Sequence, residues 1–90
     1  MGEVITVALI DDDAVVGAAL ARVLMDEGLQ VSSVSSSVVA GLARIKATRP
    51  DVVVCDVMID GHPLGFDMPT HLGSIGLGDT PVLLLSSFGS

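Results

Sequence analysis

The stretch from Pro50 to Gly61, P-D-V-V-V-C-D-V-M-I-D-G, constrains this chain more than any other. Val52, Val53, Val54 and Cys55 form an apolar, mostly β-branched run, too short for a helix and suited to a strand buried on both faces. The run ends on Asp56. A carboxylate after a doubly buried parallel strand lies at the strand's carboxyl end, where open α/β sheets form their ligand crevice. Taken alone, Asp56 reads better as the start of a turn, a role aspartate fills readily.

Two further runs follow the same logic. Val4 to Ile10 predicts a first strand, stopping at Asp11, Asp12 and Asp13, and Val82 to Leu85 predicts a fourth, stopping at Ser86 and Ser87. Between the first two runs, Val16, Leu20, Val23 and Leu24 follow helical spacing as one apolar stripe, with Asp13 placed as N-cap and Gly28 as terminator. Gln30 to Val34 is serine-rich and alternates weakly, as a short strand at a sheet edge does. The serines Ser35 to Ser37 then offer a cap for a second helix on Val38, Leu42 and Ile45, with Arg44, Lys46 and Arg49 toward its end and Pro50 closing it. From Asp60 to Leu77 the chain is glycine-rich and holds Pro63 and Pro69, so a third helix over Phe66 to Ile75 is expected to be short, with Pro69 in its first turn.

Composition excludes several classes. With 11 acidic residues against 4 basic ones the net charge is −7, which repels phosphate backbones and anionic membranes and argues against direct nucleic-acid or membrane binding. The single Cys55 cannot form an internal disulfide and reads as a small core hydrophobe, which fits a cytoplasmic setting. The 90 residues read as one α/β domain, residues 1–90, without a signal peptide, membrane span, linker or repeat.

Alternating strands and helices imply right-handed crossovers and a parallel sheet covered on both faces. If the order is two-one-three-four, the carboxyl ends of strands one and three meet, and Asp11, Asp12 and Asp56 form a cluster whose repulsion needs a proton or a cation to relieve it. Oxygen donors of this kind suit Mg²⁺. Strand four would bring the Ser86 hydroxyl to the same rim. Asp13 reads as a helix cap, Asp60 as a turn residue, His62 and His71 as surface residues, and Met25, Met58 and Met68 as gap-fillers in the core.

Jointly, the aspartate pair after strand one, P-D-V-V-V-C-D around Asp56 and T-P-V-L-L-L-S-S resemble the receiver domain of two-component response regulators. The resemblance spans nearly the whole chain. It implies a flavodoxin-like sheet of order two-one-three-four. It further implies that Asp56 accepts a phosphoryl group from a histidine kinase, that Asp12 binds Mg²⁺ directly and Asp11 through water, and that the Met58 carbonyl adds a ligand. Ser86 matches the hydroxyl that contacts the phosphoryl group.

There are departures from the family pattern. Asp60 stands where the family usually has proline, and the following loop is one residue longer. The family continues past Ser86 through a fourth helix, a fifth strand bearing a lysine and an aromatic switch residue, and a fifth helix, so this sheet is expected to stop after strand four. Lys46, the sole lysine, lies on the second helix, and neither Phe66 nor Phe88 matches the aromatic. The expected function is a phosphoacceptor signalling module, not an enzyme, with self-association through the uncovered sheet edge. A second reading is a pseudo-receiver acting as a phosphorylation-independent interaction module, and a third is a Mg²⁺-dependent hydrolase, for which the sequence places no further acid or base.

Overall fold

The computed structural model describes residues 3–86, and Ser87 and Phe88 lie outside the described residues. The valine-rich run becomes β3 (Val52–Asp56), flanked in one parallel sheet by β1 (Thr6–Ile10) and β4 (Val82–Leu85), with β2 (Gln30–Ser35) at the far edge of β1. The order is β2-β1-β3-β4, as expected for a flavodoxin-like fold. Ile10 pairs with Cys55, and Asp56 with Leu85, so β1, β3 and β4 end level with one another. The first strand begins at Thr6 instead of Val4, which is exposed.

Side-chain alternation along these strands divides the core in two. Val7, Leu9 and Val54 point toward α1 (Ala14–Asp26), while Ala8, Ile10, Val53 and Cys55 point toward α2 (Val38–Thr48) and α3 (Met68–Ser74). The helix termini follow their cap residues. Asp13 accepts hydrogen bonds from the amides of Val15 and Val16 at 3.0 and 3.1 Å, and Ser37 Oγ accepts one from the Ala40 amide at 3.1 Å. Gly28, at φ +90°, carries the chain out of α1 in the left-handed conformation that favours glycine.

The buried face of α1 differs from the stripe read in the sequence. Val16 and Val23 are exposed, while Gly17 and Ala21 are buried, with Leu20 and Leu24 packed beside them. Small residues let the helix axis approach the sheet closely, and a Cβ on Gly17 would stand 3.2 Å from Val34 Cγ1 and 3.7 Å from Asp11 Cβ. The third helix is also divided, into a 3₁₀ turn η1 (Leu64–Asp67) and α3, with Pro69 in the first turn. Of the methionines read as gap-fillers, Met68 is fully buried, but Met25 and Met58 are about half exposed.

Candidate functional site

Level strand ends and alternation together build the site. Asp11 follows Leu9 by two residues and Asp56 follows Val54 by two, so both carboxylates come off neighbouring strands on the α1 side of the sheet. Because Gly17 allows α1 to pass so close, Asp11 is buried, while Asp56 is half-buried and Asp12 exposed. One carboxylate oxygen from each of Asp11, Asp12 and Asp56 lies within 4.8 Å of the others. The cluster expected from the sequence is therefore assembled.

Backbone amides hold two of its members. Asp11 Oδ1 accepts from the Asp13 amide at 2.9 Å, and Asp12 Oδ2 accepts from the Asp60 amide at 2.9 Å. Burial pushes the Asp11 carboxyl above its ordinary value of 3.8, against the lowering effect of the Asp13 amide and together with the charges of Asp56, Asp12 and Asp13. Three oxygen donors at this spacing, one with its ionised form held in a low-dielectric setting, suit a hard cation better than a soft metal. Behind them Cys55 is fully buried, and burial followed by the Asp56 and Asp11 charges raises its thiol to about 11.

Two hollows meet at Asp11 and Asp56. One, of about 380 Å³, is the more polar of the two and reaches Asp12, Asp13, Val16, Met58 and Gly61. The other, of about 410 Å³, is apolar and runs between Val16, Leu20 and Val23 on α1 and Leu85 and Ser86 on β4 and its end. Met58 and Ser86 thus stand at opposite sides of the carboxylates. Asp13 caps α1, as read, and also lines the polar hollow. Asp60 is a turn residue at φ +54°, as read, but its amide also reaches Asp12, which the sequence did not reveal. Gly65 is a second contributor missed. Its Cα packs against the backbone of Asp56, where a Cβ would meet the Asp56 carbonyl oxygen and lie 2.8 Å from Val57 Cα. His62 is exposed and His71 partly buried, and neither joins the cluster.

The profile of the response regulator receiver domain family matches residues 7–90. The chain belongs to this family. Receiver domains are modules of two-component signalling, and solved structures similar to this one include response-regulator receivers. The chemotaxis response regulator CheY4 of Vibrio cholerae superposes with a TM-score of 0.81 at 22% identity, over 98% of this chain and 72% of that one. The receiver domain of the response regulator NarL of Mycobacterium tuberculosis gives 0.78 at 25% identity, over 99% and 71%. The anti-anti-sigma factor PhyR of Bartonella quintana gives 0.81 at 14% identity, and this receiver covers 93% of its own length but 34% of PhyR. No curated protein sequence matches significantly. Among the described residues, no helix of the receiver is long and apolar enough to cross a membrane.

Proposed function

We propose that this receiver domain accepts a phosphoryl group on Asp56 from a histidine kinase in the cytoplasm, with Mg²⁺ held by Asp11, Asp12, Asp56 and the Met58 carbonyl. The observation that carries the reading is the convergence of the three carboxylates within 4.8 Å at the end of the central strands. Asp56, half-buried beside a polar hollow, offers one oxygen to phosphorus. The new P–O bond forms as the P–N bond to the kinase imidazole breaks, and the electron pair returns to the imidazole nitrogen. An Mg²⁺ ion held there would supply charge neutralisation at the phosphoryl oxygens. Asp11 and Asp12 would hold the ion, each with one carboxylate oxygen fixed by a backbone amide. The Ser86 hydroxyl, on the apolar side of Asp56, donates to a phosphoryl oxygen.

Acetyl phosphate tests this directly. Labelling is expected to require Mg²⁺ and to disappear in Asp56→Ala, and labelling that survives Asp56→Ala removes Asp56 as the acceptor. A second reading, a phosphorylation-independent interaction module, is favoured by one observation: neither hollow at Asp56 is lined by a basic side chain. Folded protein with no label at any Mg²⁺ concentration decides for it. Both readings have protein partners, as PhyR does in its complex with the anti-sigma factor NepR. Self-association through β4, where Leu83 is exposed, is read out by light scattering at rising concentration.

A further inference from the structure

The β3–α3 connection carries a feature that the chemistry above leaves unused. Ile59 and His62 exchange backbone hydrogen bonds at 2.8 and 3.0 Å, closing a two-residue turn over Asp60 and Gly61. Both central residues have positive φ, +54° and +76°, as a type I′ turn requires, and Asp-Gly is among the pairs that adopt it most readily. Ile59 is fully buried, so the turn is anchored in the core. Closure uses the amides of Ile59 and His62, and that of Asp60 is left pointing out of the turn. It donates to Asp12 Oδ2 at 2.9 Å, across 48 residues of sequence.

Asp12 is the exposed member of the cluster and sits on a loop, so without this bond its side chain would rotate freely. A carboxylate held from behind by a rigid amide presents its oxygens at fixed places. Mg²⁺ demands near-ideal octahedral geometry at about 2.0–2.1 Å, whereas Ca²⁺ accepts flexible shells at about 2.3–2.6 Å. We propose that the Asp60–Gly61 turn is the positioning element of the cation site, fixing Asp12 through the Asp60 amide so that the cluster favours Mg²⁺ over Ca²⁺. The inference rests on the cation reading above and adds what sets its selectivity.

Calorimetric titration of the full chain with Mg²⁺ and with Ca²⁺ separates the two. Gly61→Val places a β-branched residue at φ +76°, where a Cβ meets nothing within 4 Å, so its cost is backbone strain in the turn and not a clash. It is expected to weaken Mg²⁺ binding about tenfold, the usual loss when a group orienting a metal ligand is removed, and Ca²⁺ binding by less than about threefold. Asp60→Gly keeps the amide and tolerates the positive φ, and should retain the wild-type Mg²⁺/Ca²⁺ ratio. A folded Gly61→Val with an unchanged ratio overturns the proposal, as does an Asp60→Gly that loses selectivity equally, because the carboxylate would then be the active group. A wild type that binds neither ion removes the cation reading itself and the inference with it. Where Gly61→Val loses its cooperative melt, exchange of the Asp60 amide decides: slow exchange that Asp12→Ala accelerates supports the clamp, and equal rates in both proteins refute it.

Discussion

Asp11 is where burial and charge conflict most sharply. Its carboxyl is raised above 3.8 by desolvation and by neighbouring aspartates, so the folded protein holds this proton more tightly than the unfolded chain does. The linkage sign follows: the resulting stabilisation is fully present below about 3.8 and is lost as pH rises through the higher folded value. Asp11→Asn, which cannot ionise, should therefore gain on the wild type in metal-free buffer as pH climbs from about 4 toward 7, read as a widening gap in urea midpoints. A constant gap would remove Asp11 as the titrating group. Ser33 poses the opposite problem, a hydroxyl buried beneath α2 with no hydrogen-bond partner among the described residues. Ser33→Ala should raise stability by about 1 kcal/mol, and a loss of similar size would mean the hydroxyl is bonded after all. Cys55 was legible as a small hydrophobe from its valine neighbours. The unpartnered hydroxyl of Ser33 was not, because a serine-rich edge strand gives no sign of which hydroxyl turns inward where Ser32 is the extra residue opposite the Val7–Ala8 step.

Among the elements, those written as apolar runs or marked by cap residues were readable, although β4 is only partly buried with Leu83 exposed, and those defined by close approach were not. β1, β3 and β4 announce themselves as apolar runs ending on oxygen-bearing residues, and Asp13, Ser37 and Gly28 mark helix ends by their cap chemistry. The face that α1 buries was misread because periodicity counts large apolar residues, whereas Gly17 and Ala21 make the contact and Val16 and Val23 border a hollow. The 3₁₀ turn η1 depends on the same kind of approach. With no side chain, Gly65 can donate its amide to the Val57 carbonyl at 3.0 Å and press the turn against the end of β3. A methyl group there meets the Asp56–Val57 backbone and cannot be relieved by a rotamer change. Gly65→Ala should cost about 3 kcal/mol and move Asp56 relative to Asp11, lowering the urea midpoint and the Mg²⁺ affinity together. Loss of stability with unchanged Mg²⁺ affinity would separate η1 from the site.

For the whole molecule, strand order assembles the site, because in the order β2-β1-β3-β4 the strands β1 and β3 are neighbours and their carboxyl ends meet. That order came from family resemblance, while the residues at the strand ends were read from the sequence itself. The clamp on Asp12 was invisible for a physical reason: its donor is a backbone amide, which leaves no mark on residue identity beyond an Asp-Gly turn signal. The assembled cluster predicts a specific response to Mg²⁺. A ligand tenfold above its Kd adds about 1.4 kcal/mol of stability, which in a domain of this size corresponds to a rise in Tm of about 6–11 °C. Added salt also screens a net charge of −7, so part of any rise is nonspecific and must be subtracted with potassium chloride at matched ionic strength. Asp12→Asn isolates the remainder. It removes one charge from the cluster while leaving an oxygen able to accept the Asp60 amide, so the metal-free protein should be at least as stable as the wild type, and its excess response to Mg²⁺ over potassium should vanish. Equal rises with the two salts in the wild type, or a Mg²⁺ response that persists in Asp12→Asn, would mean that the −7 charge is being screened at large and that the three carboxylates hold no ion.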